Sequence, residues 1–189
     1  MSKNDRNDFY QNLIRELNLD DIKDILSYLE EVRLNPGDIF IHIGNKEKTV
    51  GYIQNGLIKA SVIDDEGEEK VCLLRWEGQF VGTFNRPARF MFKAVEPTTI
   101  LRIKIESIHE IISQNPRLDK IFKDVLLYYL SESLEHLETF VLLSPKQRYL
   151  QFIETNPEIV NRVPDKYIAS VLGITPESLS RIRKRISNE

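Results

Sequence analysis

Between Thr175 and Arg185 the chain sets Glu177, Ser180, Arg181 and Lys184 three and four residues apart, so that they share one face of a helix. Arginine forks to guanine and a carboxylate accepts from the cytosine amino group, so such a face can read base edges. Glu177, Ser180 and Arg181 are the candidates for base contact. Thr175, Ser178, Arg183, Lys184 and Arg185 surround them with hydroxyls and positive charge suited to phosphate oxygens. A bare basic helix is more often a solvated surface, so the frame around it decides.

That frame is legible on both sides. Leu179, Ile182 and Ile186 repeat at i, i+3, i+7 and point inward. Thr175 can cap the helix, Pro176 suits its first position and Glu177 its first turn. Upstream, Pro164 can open a short helix with Asp165 in its first turn, where the helix dipole favours a negative charge. Ile168, Ala169 and Leu172 form its apolar stripe. Gly173 stops it, because glycine enters the left-handed conformation at no steric cost. Two helices joined by about three residues have the spacing of a helix-turn-helix.

The residues Ile168-Ala169, Leu172-Gly173, Thr175 and Glu177-Ser178-Leu179-Ser180-Arg181 resemble the DNA-binding end of the Crp/Fnr family of bacterial transcription regulators. The resemblance implies base contacts at Glu177 and Arg181. Pro176 stands where many members carry Arg, so one common base contact is missing.

Length and composition set bounds on the rest. The 189 residues suffice for two small domains. No run of about 18 apolar residues exists, so no membrane span is expected. The polar start M-S-K-N-D-R-N-D-F-Y does not read as a secretory signal. The single cysteine, Cys72, excludes internal disulfides and fits a reducing cytoplasm. It also excludes the four-cysteine iron–sulfur cluster of oxygen-sensing relatives. His42, His109 and His136 are far apart and show no metal-ligand spacing, so neither metal nor cofactor is expected. The net charge of −3 hides a split. From Ser144 to Glu189 there are eight Lys or Arg against five Asp or Glu, and from Met1 to Leu143 the count is 18 against 24. The positive excess lies where phosphates would be met.

In chain order, Phe9–Leu17 and Asp20–Leu29 read as two short helices, the second capped by Asp20. From Asn35 to Ile105, turn signals recur about every nine to eleven residues, the rhythm of an antiparallel sandwich or barrel. Between them lie β-rich runs at Ile39–Ile43, Val50–Gln54, Leu57–Ile63, Val71–Trp76 and Thr98–Ile105. Asn55-Gly56 reads as a hairpin turn. P-G-D-I-F at Pro36–Phe40, Y-I-Q-N-G-L-I-K at Tyr52–Lys59 and G-Q-F-V-G at Gly78–Gly82 resemble the β-roll of the same family.

The resemblance is weakest between Gly82 and Phe92. Members that bind cyclic nucleotides hold the ligand there with Gly-Glu-Leu, a short helix, and Arg followed by Ser or Thr. This chain has Gly82-Thr83-Phe84, a shortened Asn85–Ala88 segment, and Arg89 followed by Phe90. Thr83 cannot supply the carboxylate. Thr83, Arg86 and Arg89 are the candidate effector-pocket residues, for a small effector of unknown kind or for none.

A helical segment follows, from Glu106 or Pro116 to Leu143. Leu127, Leu130, Leu134, Leu137 and Val141 alternate 3, 4, 3, 4, the a/d seam of a coiled coil. A second apolar edge runs through Phe122, Leu126, Tyr129 and Phe140, which favours pairing with a second copy over a single buried helix. Ser144-Pro145-Lys146-Gln147 has capping-box spacing and marks a boundary and candidate hinge.

The expected architecture is therefore α+β. An N-terminal antiparallel β-roll flanked by helices occupies residues 1–115. A dimerisation helix at 116–143 and a helix-turn-helix domain at 144–189 follow. The expected protein is a cytoplasmic homodimer that binds double-stranded DNA as a transcription regulator, with RNA polymerase as a further candidate partner and no cyclic nucleotide in control. A reading from another class is a ligand-sensing or protein-interaction module whose basic tail binds a partner protein. An enzyme on the β-roll would need clustered metal ligands or a nucleophile with its base, and His42 alone offers neither.

Overall fold

The computed structural model describes residues 15–83 and 87–187, together with Phe9 and Asn12. The chain divides into two compact units, Lys23–Gln114 and Asn115–Glu189 with the segment up to Ile22. The expected helix Phe9–Leu17 lies partly outside the described residues. Helix α1 covers Leu19–Ser27. Its cap is Asn18 rather than the expected Asp20, since the Asn18 side chain accepts from the amides of Asp20 and Asp21.

The unit Lys23–Gln114 is a β-roll. Its strands are β1 (Glu30–Leu34), β2 (Ile39–Ile41), β3 (Thr49–Asn55), β4 (Leu57–Ile63), β5 (Glu69–Trp76), β6 (Phe80–Gly82), β7 (Met91–Ala94) and β8 (Thr98–Lys104), followed by helix α2 (Ile105–Gln114). They form two sheets ordered β1-β8-β3-β6 and β2-β7-β4-β5, and every paired neighbour runs antiparallel. Ile41, Ile53, Ile58, Phe92 and Ile100, drawn from both sheets, make the core. All five expected runs are strands. The unexpected ones, β1, β6 and β7, are short or charged, so alternation over so few residues gives little signal.

The expected Asn55-Gly56 hairpin is corrected by the pairing. Strand β3 bonds to β6 and β8, whereas β4 bonds to β5 and β7, so Asn55-Gly56 carries the chain from one sheet to the other. Gly56 is required there for two reasons. Its φ is +99°, and a Cβ would come 2.6 Å from the Pro97 carbonyl oxygen. The hairpin lies one strand later, between β4 and β5. There the Asp64 carboxylate accepts from the amides of Glu66 and Glu68.

On β4 and β5, Lys59 is 3% exposed. Its ammonium donates to Glu69 Oε2 at 2.6 Å, and Ser61 donates to Glu69 Oε1 at 2.7 Å. A buried ammonium needs such a partner, because desolvation without one costs several kcal/mol. Burial pushes the Glu69 carboxyl up, but the bonds from Lys59 and Ser61 and the charges of Lys59 and Lys93 outweigh it, leaving a pKa below the ordinary 4.5.

The second unit holds the long helix α3 (Pro116–Leu142), then α4 (Pro145–Thr155), α5 (Pro157–Val160), α6 (Asp165–Val171) and α7 (Pro176–Ile186). The helical segment expected from Glu106 or Pro116 is thus two helices. Asn115 divides them and caps α3 through its side chain, which accepts from Arg117 and Leu118 amides. The capping box at Ser144 is formed, with Gln147 closing it. The short α5 begins directly after Asn156. The compact units part at Gln114, and α3 groups with the C-terminal helices. No described helix is long and apolar enough to cross a membrane. Among the described residues no cluster of His, Cys, Asp or Glu could hold a metal ion.

Because the folded-state pKa of Glu69 is lowered, the stability it contributes is present above pH 4.5 and is lost as pH falls through the lowered value. Glu69→Gln should cost about 1–3 kcal/mol at neutral pH and flatten the acid limb of the stability–pH curve. Urea unfolding from about pH 3 to 7 measures both effects.

Candidate nucleic-acid interface

The site is built on α6 and α7, whose inner faces are closed. Ile168, Ala169 and Leu179 are fully buried and Leu172 is 4% exposed. The turn between them depends on Gly173, which has φ +66°. The Ile174 amide donates to Ala169 O and the Gly173 amide to Ser170 O, satisfying carbonyls at the end of α6. Thr175 then caps α7, its side chain accepting from the Ser178 amide at 3.2 Å. Packing from below and capping from behind leave the opposite face of α7 outward.

That face carries Thr175, Glu177, Ser180, Arg181, Lys184 and Arg185, all exposed. Its negative and positive groups are organised before any ligand arrives. The Arg181 guanidinium accepts no bond but donates to Ser178 Oγ at 3.2 Å, one turn earlier. The backbone amide of Glu177, then the Thr175 side chain and the Arg181 charge, hold the Glu177 carboxyl below its ordinary range. Glu177 is therefore anionic at neutral pH, as an acceptor for a base amino group must be.

Two expected phosphate contacts are placed differently. Arg183 is turned inward: Nη1 donates to Asp165 Oδ2 at 2.7 Å and Nε to the Tyr149 hydroxyl at 2.9 Å. Burial opposes its charge, but the Tyr149 hydroxyl and the Asp165 carboxylate outweigh that and keep it charged. Its side chain ties α7 to α6 and α4, so it is a brace, with Lys184 and Arg185 left as the outward cations. Ser178 is half-buried and bonded to Thr175 and Arg181, which makes it a support for Arg181. Nothing in local spacing signals Tyr149 or Asp165 as partners of Arg183, because they lie 34 and 18 residues away.

Of the expected effector residues, Thr83 and Arg89 are among the described ones. Thr83 is 8% exposed, and its Oγ1 donates to Glu47 O at 3.1 Å and accepts from the Thr49 amide at 3.4 Å. Its hydroxyl belongs to the edge of the sheet. A Cβ at Gly82 would overlap the Thr49 backbone, so β6 lies tight against β3. Arg89 is exposed, and Arg86 lies outside the described residues. The expected seam is open: Leu127, Leu130, Leu134, Leu137 and Val141 on α3 are 60%, 55%, 58%, 62% and 84% exposed in the single chain.

Comparison with known proteins gives this geometry a context. Residues 31–115 match the cyclic nucleotide-binding domain family. Over 174 residues the chain is 24% identical to the transcriptional regulatory protein btr of Bordetella pertussis, spanning 85% of this chain and 72% of that protein. The fold is similar to that of FixK2 from Bradyrhizobium japonicum, with a TM-score of 0.75 at 13% identity and 85% of each chain covered. It is also similar to CLP, a c-di-GMP responsive global regulator of Xanthomonas campestris, with a TM-score of 0.70 at 17% identity, covering 90% of this chain and 92% of that one.

Gly173 has a second constraint beyond its φ, since a Cβ there would lie 2.8 Å from Phe140 Cε1. Gly173→Ala should destabilise the C-terminal unit by about 1–2 kcal/mol, the left-handed penalty, while Gly173→Asn should cost less. Denaturant unfolding followed by helical circular dichroism measures the difference.

Proposed function

With a cyclic nucleotide-binding domain and the fold of Crp/Fnr-type regulators as premise, we propose that this DNA-binding transcription regulator works as a homodimer on a near-palindromic site. The observation that carries the reading is the outward face of α7. Glu177, Ser180 and Arg181 stand on a helix that is capped, braced and packed from behind, with Lys184 and Arg185 beside them. Glu177, Ser180 and Arg181 read base edges in the major groove. Lys184, Arg185 and the Thr175 hydroxyl meet phosphates and fix the register.

The open seam on α3 supports the dimer. Five apolar side chains repeating at coiled-coil spacing, each more than half exposed, form a patch that a solvated monomer would not keep. A second copy covers it by the same spacing. Two α7 helices held about 34 Å apart then enter successive major grooves. Thr83, where the nucleotide cassette has a carboxylate, supports a regulator that does not need a cyclic nucleotide to bind DNA. RNA polymerase is the protein partner such a regulator would engage.

DNA selected from a random pool by the purified protein supplies the test duplex. On that duplex Arg181→Ala should cost about 1–3 kcal/mol and relax preference at one base position. Lys184→Ala should weaken all sequences alike and reduce the salt slope by about 1. Fluorescence anisotropy across a salt series separates the two, and an Arg181→Ala protein with unchanged affinity and preference would overturn the base assignment. Leu134→Asp should yield a monomer by light scattering and lose the full site, because it places charge in the apolar seam.

A further inference from the structure

The C-terminal ends of α3 and α6 meet at one side chain. Arg148, on the first turn of α4, donates from Nη1 to Leu143 O at 2.8 Å and from Nε to Leu172 O at 3.1 Å. Leu143 is the C-cap of α3 and Leu172 the C-cap of α6. Both carbonyls sit at the negative pole of a helix dipole, where a cation is favoured. The guanidinium also lies over the Phe140 ring, 4.7 Å from its centroid. Phe140 belongs to the last turns of α3, where the His136 ring meets it edge-on, and it also borders Gly173 in the helix-turn-helix turn, where a Cβ would come 2.8 Å from it. One planar group thus bonds two helix ends and stacks on a ring between them. Lysine could not reproduce this, because its ammonium is a point charge with no fork and no flat face.

We propose that Arg148 is a positioning residue: it fixes the recognition turn to the end of the pairing helix, and so sets the half-site spacing that the dimer accepts without touching DNA. This rests on the dimeric DNA-binding reading above. Ser144, between α3 and α4, looks like a hinge from its capping chemistry, yet Arg148 and Phe140 span it on one side. With the clamp closed, the separation of the two α7 helices follows from the pairing of α3. With it open, each helix-turn-helix turns about Ser144 independently. The positive charge of Arg148 is committed to backbone carbonyls rather than turned to the exposed face of α7, which separates its role from that of Lys184.

The test compares wild type with Arg148→Lys on three duplexes: the full site selected by the wild-type protein, a single half-site, and the full site with its half-sites one base pair further apart. Charge is conserved, so electrostatic attraction to DNA is unchanged. Full-site affinity should fall roughly tenfold, the loss of one charge-assisted hydrogen bond, while half-site affinity and dimer mass stay as in wild type. The penalty that wild type shows on the lengthened site should shrink in the variant. Phe140→Leu removes the ring face and should reproduce both effects, which keeps the test decisive if Arg148→Lys does not fold. Equal losses on full and half sites, or an unchanged spacing penalty, would overturn the clamp. Failure of the wild-type protein to select any duplex would instead sink the regulator reading, and the clamp with it.

Discussion

An apolar seam left in water is the constraint from which the architecture follows. Along α3, Leu127, Leu130, Leu134, Leu137 and Val141 are each more than half exposed, although the helix is 27 residues long and has buried Leu118 and Ile121 near its start. Among the described residues none buries these five side chains, and removing them from water is worth about 25 cal/mol per Å² of apolar surface. A seam of this spacing is self-complementary, and in the proposed dimer a second copy would cover it with no additional part. Every element C-terminal to α3 is then positioned by how faithfully it is attached to that helix.

The attachments are polar and few. Arg148 joins two helix C-termini over Phe140, and Arg183 joins α7 to Asp165 and Tyr149. Each uses a guanidinium where an apolar contact could have served. The reason is geometric: carbonyl ends and hydroxyls present acceptors at fixed angles, and a planar fork meeting two of them fixes orientation as well as distance. Apolar packing beneath α6 and α7 supplies cohesion, while these forks supply aim. Basic residues in the C-terminal unit therefore divide into braced and outward-facing ones, a division that net charge conceals.

In the β-roll, too, apolar packing and polar bonds have separate places. Its sheets close over a dense aliphatic core, and its corner at Gly56 is held by steric demand. Thr83 occupies the edge beside β3 with both its donor and its acceptor engaged by the sheet.

Local patterns alone were enough to establish the helix-turn-helix, its glycine turn, the capping box at Ser144 and five of the strands. Each rests on residues within a few positions of one another, where helical and strand periods act directly. The family resemblance could be read from such short runs for the same reason. Pairing partners were beyond local reach. Asn55-Gly56 has the composition of a hairpin, yet the two strands it joins find their hydrogen bonds in different sheets. Arg183 looks like a phosphate ligand until Tyr149 and Asp165 come within 3 Å of it. Sequence determined which elements form and which face of each is apolar, since those depend on neighbours along the chain. Which cations brace and which face outward was decided only by folding, because a long flexible side chain pairs with whatever acceptor the tertiary structure brings nearest.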